Sequence, residues 1–295
     1  MISFFKRTVA ANDPHQLGHF LLKHGFSRRA LKAARYHGGW ILVNHRRRLL
    51  SFHLRTGDEV IFIPGQEKPN PYLRPVKGPV EIVAETANYL LVNKPAGLLT
   101  IPSRYEDQHS LVNYLLAYFQ AQGLDTRPHV VTRLDRCTSG LVLVGKNSIA
   151  QSRFSQESPN QLQKNYHAIV HGNFKEQTGK VELRIGQVGQ TVKRAIDPQG
   201  QRAITLYRVL RQVPGASYLS LQLLTGRTHQ IRVHMQAIGH PLFGDQLYGV
   251  PDCFARQALN AYQLRFFDPF AQEEQLKTIE DPADMQQLWQ QLKHD

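Results

Sequence analysis

The stretch TRLDRCTSGLVLVGK, residues 132–146, joins a dense cluster of polar side chains to an apolar run that predicts a buried strand. Within the cluster, the carboxylate of Asp135 lies between the guanidiniums of Arg133 and Arg136. Neighbouring arginines would keep such a carboxylate charged and therefore competent as a nucleophile. From these residues alone, Asp135 is a candidate nucleophile, a candidate general base, or simply one partner of a structural ion pair.

Strands predominate on both sides of this stretch. Two strands around a turn are predicted in VEIVAETANYLLVNKPAG (80–97), and YLSLQLL (218–224) alternates cleanly. Fewer helices are predicted: Ser110 caps one that ends at Gly123, and Asp281–Pro282 begins another. The final helix carries an apolar stripe typical of core packing, formed by Met285, Leu288, Trp289 and Leu292. These elements predict an α+β protein with a mixed, largely antiparallel sheet and flanking helices.

A second polar cluster, LLTGRTHQIRVH (223–234), marks a change from strand to helix. Thr228 is the predicted helix cap, and His229 and Arg232 fall on one face of the helix. Arg227, the helix start and Arg232 would then meet near one edge of the sheet, where an anion or a carboxylate can bind. The alternative is that these residues are surface charges on an amphipathic helix.

Positive charge is concentrated at the amino end of the chain. The 295 residues include 36 Lys+Arg and 23 Asp+Glu, a net charge of +13, and residues 1–66 contribute 11 minus 3, or +8, of it. Helices are predicted over HQLGHFLLKHG (15–25) and, capped by Ser27, over SRRALKAARYHGG (27–39), followed by a strand, a basic turn and a second strand. One basic surface results, formed by Arg28, Arg29, Lys32, Arg35 and, at the turn, Arg46, Arg47 and Arg48. Its concentration favours contact with nucleic-acid phosphates over the alternative, a solvated helix face.

A linker is predicted after this basic region. The segment PGQEKPNPYLRPVKGP (64–79) contains five prolines and two glycines, which resist regular structure. We therefore predict a small α/β domain over residues 1–66, a linker over 67–79 and a larger domain over 80–295.

Composition argues against several classes of protein. With 41% hydrophobic and 20% charged residues, the chain is not mainly disordered. We find no apolar run of about 18 residues and no signal peptide, so neither a membrane span nor export is expected. Two cysteines, Cys137 and Cys253, fit a cytoplasmic protein with free thiols. Without a Cys-x-x-Cys pair, no structural zinc site is expected, and His229 and His234 are weak metal candidates.

Four segments, taken in order, resemble the signature blocks of the RluA/RluD-type RNA pseudouridine synthases. RLDRCTSGL (133–141) resembles the catalytic motif, and three further matches are LVNKPAGLLTIPS (91–103), TGRTHQIRVH (225–234) and GHPLFGDQLYG (239–249). By composition alone, the last of these predicts only a structured turn. Four blocks in order are a specific signal, whereas one would be weak.

Two other regions and two departures complete the resemblance. KNYHAIVHG (164–172) is similar to a strand of the family, and residues 14–64 resemble the S-four-type RNA-binding module that often precedes this catalytic domain. The family usually has histidine where this chain has Thr132 and again where it has Asn260. These departures bear on the identity of the substrate and on local packing more than on activity.

The resemblance implies roles for individual residues. Asp135 would be the essential carboxylate, Arg232 would pair with it, and Ile231 would line the base pocket. Arg133 would enter the space that a flipped uridine leaves in the RNA, and Tyr166 would lie on the flipped base. Judged from its position alone, Tyr166 is as readily a core residue of a strand. Further substrate-binding candidates are Arg227 and His229.

The activity implied by the resemblance is the isomerisation of specific uridines in structured RNA, ribosomal or transfer, to pseudouridine. It requires neither a cofactor nor a metal, and RNA is the expected partner of an expected monomer. Two alternatives stay open on the sequence: an RNA-binding or ribosome-assembly factor with an inactive synthase domain, and an RNA glycosylase.

Overall fold

In the computed structural model of the chain, residues 4–65, 73–103, 109–156 and 162–294 are described. The chain divides into two compact units. One comprises Met1–Leu91, Ile101–Thr132 and Leu143–Gln156, and the other comprises Val92–Thr100, Arg133–Val142 and Glu157–Asp295. The predicted domain limits at 66 and 79 stay a prediction, and residues 66–72 of the linker lie outside the described residues. No described helix is long and apolar enough to cross a membrane.

The amino-terminal part of the first unit is a small sheet with two helices. Its elements are β1 (Phe5–Thr8), α1 (Leu17–Lys23), α2 (Arg28–Tyr36), β2 (Trp40–Val43), β3 (Arg46–Arg47) and β4 (Glu59–Ile63). The strands pair antiparallel in the order β1-β4-β2-β3. Apolar residues of both helices and the sheet form one core, which also includes Ile149. The cap predicted at Ser27 is confirmed, because its hydroxyl accepts from the backbone N–H of Ala30.

The basic turn predicted at Arg46, Arg47 and Arg48 is wrong. The hairpin instead turns at Asn44 and His45, whose φ angles are 48° and 63°. Two consecutive positive φ angles give the tight turn whose twist matches that of the flanking strands. Asn44 holds this conformation by accepting from the Glu59 backbone N–H at 2.8 Å. The first two arginines therefore form β3, and the third follows it.

The rest of the first unit combines strand segments with two helices. Its further elements are β5 (Glu81–Glu85), β6 (Tyr89–Lys94), α3 (Leu111–Ala121), β7 (His129–Val130), β8 (Ser139–Gly145) and α4 (Ser148–Gln156), and the unit boundaries fall within β6 and β8. The strands on either side of the turn at 86–88 are confirmed, as is the Ser110 cap. Strand β8 is buried along its whole length, as its apolar run predicts.

The second unit is built on an antiparallel sheet. Its elements are β9 (Leu162–His171), β10 (Thr178–Glu182), β11 (Ile185–Gln187), β12 (Arg194–Ile196), β13 (Ile204–Val213), β14 (Ala216–Leu223), α5 (Gln230–Ala237), β15 (Leu259–Asp268), β16 (Glu273–Thr278) and α6 (Ala283–Gln291). The order is β10-β13-β14-β9-β15, with β16 also on β15, and the start of β8 pairs parallel with β15. The predicted α+β class is confirmed.

The two faces of this sheet are covered by different helices. On one face Tyr166 and Leu221 pack with Ile231 and Met235 of α5. On the other, Ile169 packs among residues of α6, where the predicted stripe of Met285, Leu288 and Trp289 is buried. Neighbouring residues of β9 point to opposite faces because side chains alternate along a strand. The side chain of Tyr166 therefore lies on the face of the sheet that is covered by α5.

Gly140 fixes how closely β8 approaches β15. Its φ is 116°, and a Cβ atom there would lie 2.5 Å from backbone atoms of Ala261. Only glycine has both the conformational freedom and the lack of a side chain that this contact requires. The polar loop at residues 133–138, which leads into β8, is therefore held close to the first residues of β15.

Candidate active site

Asp135 lies in the loop that precedes β8, within the second unit. Its side chain is 28% exposed, so it can be reached by a substrate. The loop is tied on one side to residues 94–100. The Thr100 hydroxyl donates to the Leu134 carbonyl at 2.8 Å, and the Gly97 backbone N–H donates to the Arg136 carbonyl at 2.9 Å. These bonds hold the backbone on both sides of the carboxylate.

Lys94 also binds the backbone of the loop that carries Asp135. Its role in the site was not predicted from the sequence. Its ammonium is inaccessible to solvent and donates to the carbonyls of Pro95, Leu98 and Arg136 at 2.8, 2.8 and 3.0 Å. Burial lowers the pKa of Lys94 to about 7, although electrostatic interaction with Cys137 and Asp135 acts in the opposite direction. A fully buried lysine is rare unless it is paired, which marks this position as one that shapes the site.

Arg232, in α5, joins Asp135 to a second carboxylate. One guanidinium nitrogen, Nη1, donates to Asp135 at 3.3 Å, whereas Nε and Nη2 each donate to Asp245 at 2.7 Å. The Asp245 side chain is fully excluded from solvent. Burial pulls the pKa of Arg232 down, but its bonds and charge attraction to Asp245 and Asp135 outweigh burial and raise it. The bidentate ion pair with Asp245 fixes the orientation of the guanidinium plane, and Asp135 accepts a hydrogen bond from this fixed group.

Asp245 and Tyr248 come from the loop GHPLFGDQLYG, for which composition predicted only a turn. Asp245 also accepts from the backbone N–H groups of Leu247 and Tyr248 at 3.0 and 3.1 Å. The ring of Tyr248 lies 4.9 Å from the Arg232 guanidinium, within cation–π range. Besides the resemblance of this segment to a family block, the signal in the sequence was a single carboxylate inside an apolar, glycine-rich loop, where a buried acid needs a partner.

His229 reaches Asp135 from the start of α5, but not as predicted. The predicted Thr228 cap is wrong: His229 is the capping residue, with φ of 57° and no side-chain cap bond. The turn is organised instead by Gln230, whose side-chain oxygen accepts from the Arg227 backbone N–H at 3.0 Å. His229 Nε2 lies 3.9 Å from Asp135, and its Nδ1 lies 2.9 Å from the Tyr248 hydroxyl. Burial lowers the pKa of His229, which favours the neutral ring.

Tyr166 and Ile231 form the apolar side of the site. Both are buried in one cluster, at 5% and 4% exposure, with Leu134 packed against it. Burial, and to a lesser degree the charge of Asp135, raises the pKa of Tyr166, so the phenol keeps its proton at neutral pH. The phenol ring of Tyr166 therefore lies within range of the Asp135 charge while packing against Ile231 in the core.

The remaining predicted substrate residues lie further out. Arg133 is exposed two residues before Asp135. Arg227 is also exposed and donates Nε to the Arg202 carbonyl at 3.0 Å, and no hydrogen bond or ion pair between described residues joins it to Asp135. The structure therefore brings together Asp135, Arg232 and His229, while these two arginines face solvent.

A further tie reaches the Asp135 loop from the start of α6. Arg256 donates Nη1 to the Cys137 carbonyl at 3.3 Å and pairs through Nε and Nη2 with Asp284 at 2.6 and 2.9 Å. The neighbouring Gln257 donates to the Thr138 hydroxyl at 3.1 Å. Two residues after Asp135, the loop backbone is thus connected through one arginine to a helix.

The two departures from the family pattern have local roles in the structure. Buried Thr132 accepts from the Leu143 backbone N–H at 2.9 Å. Asn260, also buried, accepts from Ser139 and donates to Asp281, both at 2.9 Å. Both side chains are therefore satisfied hydrogen-bonding groups.

The basic residues predicted to contact RNA all belong to the first unit. Arg28, Lys32 and Arg35 are exposed on α2, and Arg46 and Arg47 are exposed on β3. Arg48 is partly buried beside Phe52, with its guanidinium 4.7 Å from that ring. The side chain of Arg29 lies outside the described part of the structure.

Comparison with known proteins gives a consistent result. The family model described as RNA pseudouridylate synthase matches residues 88–237. An uncharacterized RNA pseudouridine synthase of Bacillus subtilis, YjbO, is 37% identical over 267 residues, which is 90% of this chain and 94% of that protein. Ribosomal large subunit pseudouridine synthase D of Yersinia pestis is 34% identical over 258 residues, covering 81% of this chain and 78% of that protein.

The same similarity is seen in a solved structure. Human RNA pseudouridylate synthase domain containing 4 superposes with a TM-score of 0.61 and 22% identity, covering 72% of this chain and 93% of that one. At this identity, the likeness shows a shared fold.

Proposed function

The chain belongs to the RNA pseudouridylate synthase family, and from that membership we propose that Asp135 is the residue through which it converts uridine in RNA to pseudouridine. The reaction is an isomerisation. The bond from the ring nitrogen to the ribose breaks, the ring turns, carbon 5 bonds to the ribose and loses its proton, and the nitrogen gains one. Atoms and electrons balance within the substrate.

The observation that carries the proposal is the setting of Asp135. It is a partly exposed carboxylate held at 3.3 Å by a guanidinium that a buried aspartate fixes in place. An oriented and charged carboxylate at an accessible position can act on a ribose, either as a nucleophile or by removing a proton. We assign Arg232 the task of orienting it, and His229 a place beside it.

The apolar side of the site supports binding of an extruded base. A uridine stacked in RNA hides its glycosidic bond, so it must leave the stack at a cost of a few kcal/mol. Stacking on an aromatic ring returns about 1–3 kcal/mol per base. We assign this contact to Tyr166, with Ile231 lining the pocket. Exposed Arg133 is placed to enter the vacated space, where a flat guanidinium can stack.

We also propose that the substrate is ribosomal RNA. This rests on relatives that are named ribosomal large subunit pseudouridine synthase D and are 34–37% identical to the chain. A ribosomal substrate would place the enzyme where ribosomes are assembled, and we propose the cytoplasm. A monomer stays the expected state, and the basic residues of the first unit are proposed to add affinity through phosphates.

The test is release of tritium from ribosomal RNA labelled at carbon 5 of uridine. We expect the wild-type protein to release label and Asp135→Asn to release none, while its affinity for RNA stays within about twofold. Asp125→Asn, at an exposed aspartate in the first unit, is the matched control and keeps full activity.

Other outcomes separate the alternatives. Release of free uracil with an abasic ribose, seen by mass spectrometry, would show a glycosylase. No release by the wild type from any cellular RNA would favour an RNA-binding factor. Equal loss of binding and turnover in Asp135→Asn would make this residue structural.

A further inference from the structure

A groove runs along helix α2 in the first unit, away from Asp135 in sequence. It consists of two adjoining concavities of about 340 and 470 Å³, which share Arg35, Tyr36 and Leu50 as lining residues. Pockets of about 300–1,000 Å³ are the size that accepts small ligands or parts of larger ones. We call it the α2 groove.

The walls of the α2 groove are apolar and carry one exposed aromatic ring. Leu22, Leu31 and Ile41 contribute aliphatic surface. Tyr36, where the two concavities join, is 60% exposed. The guanidinium of Arg35 lies 5.1 Å from its ring. An exposed ring in an apolar groove offers a face on which another flat ring can stack.

The rim of the α2 groove is cationic and has no countercharge of its own. Its cations are Arg28, Lys32, Arg35, Arg47 and Arg48. Among the described residues, none of these five forms an ion pair, and no acidic side chain lines either concavity. The Nε of Arg48 is buried and donates to no acceptor in the described structure. A buried donor without an acceptor is unfavourable, and no group of the described protein satisfies this nitrogen.

We propose that the α2 groove binds one unpaired nucleotide of the RNA substrate, with its base against Tyr36 and the flanking phosphates on the rim. Paired bases bury both faces in the stack, so only an unpaired nucleotide can present its base to this ring. Arg28 and Arg35 are seven residues apart on α2, or about 10 Å along the helix, which is longer than a single phosphate spans. A polynucleotide, and not a free nucleotide, therefore fits the rim.

This inference rests on the proposed function only in taking RNA as the substrate. It adds a second base-binding site, in the first unit, that selects RNA with an unpaired nucleotide.

The test uses the full-length protein and three fluorescent RNA stems of the same sequence. One carries a bulged cytidine, which is not a substrate for isomerisation, one carries an abasic nucleotide at the bulge, and one is fully paired. We expect the wild type to bind the cytidine bulge about 5- to 160-fold more tightly than the abasic bulge, the range of one base stack. Tyr36→Phe keeps this ratio, and Tyr36→Leu reduces it to near one.

Phe4→Leu removes another exposed aromatic ring, 60% exposed in the same unit, and is the matched control; it should keep the wild-type ratio. The inference is overturned if the wild type binds the cytidine and abasic bulges equally, or if Tyr36→Leu preserves the preference. Tritium release from ribosomal RNA, measured on the same wild-type preparation, reports the proposed function separately, because a protein can discriminate bulges without turnover and can turn over without discriminating bulges.

Discussion

Lys94 is the residue whose charge state the fold alters most clearly. The ammonium has exchanged water for three backbone carbonyls, two in its own loop and one beside Asp135. Its pKa, lowered to about 7 by burial, means that the folded protein releases this proton far more readily than an unfolded chain does. The stability of the loop is therefore linked to pH through a single group.

The sign of that linkage gives a prediction. Below about pH 7 the lysine is protonated in both states, and between there and pH 10.5, its ordinary value, the unfolded chain binds the extra proton. The free energy of unfolding supplied by Lys94 should therefore rise with pH, by up to about 1.4 kcal/mol per unit. In urea titrations at pH 6 to 9, the difference between wild type and Lys94→Met should grow as pH increases.

Lys175→Met, at an exposed lysine, shows what removal of a lysine alone does to the same titrations. A difference between wild type and Lys94→Met that is constant across this range would contradict the assigned burial of the charge.

At the scale of elements, the loop that carries Asp135 is tied to helix α6 through Arg256. The pair of Arg256 with Asp284 aims Nη1 at the Cys137 carbonyl. Asp284→Asn keeps the shape of the side chain but removes its charge, so the arginine loses its partner and the loop loses a tether. We expect kcat to fall about tenfold, equivalent to ~1.4 kcal/mol, with KM for RNA changed less than twofold.

The matched variant is Glu274→Gln, which breaks the exposed ion pair with Arg265. Exposed pairs contribute little, so its kcat should match the wild type. Steady-state tritium release by both variants measures the effects on kcat and on KM separately. A lowered melting temperature with unchanged kcat would assign Arg256 to stability alone.

Most elements follow from local sequence, and the two errors show where local reasoning stops. Alternation of apolar residues predicted β14, the Ser110 cap predicted α3, and an apolar stripe predicted α6, because each of these signals lies within a few adjacent residues. The turn was predicted at the three arginines, but it lies at Asn44 and His45, because Asn44 tolerates a positive φ and its side chain accepts from the Glu59 backbone N–H. The α5 cap was misplaced because Gln230, inside the helix, replaces the hydroxyl expected at Thr228.

At the scale of the whole molecule, the sequence could not predict which residues far apart in the chain would bind one another. Arg232 was expected near Asp135 from family resemblance, but its stronger partner, Asp245, was not. Nor could periodicity show that Lys94 would end beneath a loop some forty residues later, at Arg136. Such contacts depend on how the chain folds back on itself, which no local pattern encodes.

The uneven distribution of charge leads to a prediction about salt. Neutralising Arg28, Lys32, Arg46 and Arg47 together to Gln should flatten the slope of log affinity against log salt concentration by about 3, since each phosphate contact contributes about 0.7–0.9. Neutralisation is preferable to deletion of residues 1–66, because Ile149 packs in the same core and would be exposed. Filter binding from 50 to 300 mM salt measures the slope.

An equal loss of charge elsewhere separates local contact from overall charge. Lys175, Lys180, Arg208 and Lys293 are exposed residues of the second unit, and their combined change to Gln should leave the slope as in the wild type. Identical slopes for both quadruple variants would refute the assignment of the basic surface.

The shared guanidinium at Arg232 has a consequence for how charge moves during turnover. One cation and two carboxylates, Asp135 and Asp245, carry a sum of −1 at rest. In the proposed reaction Asp135 either becomes esterified to the sugar or captures a proton, and in both cases that sum would become zero as the detached pyrimidine gains electrons. Because Asp245 keeps its two hydrogen bonds to Arg232, the guanidinium would stay in place during the reaction. It would then attract the anionic pyrimidine while that ring rotates, which would keep the detached base in the site.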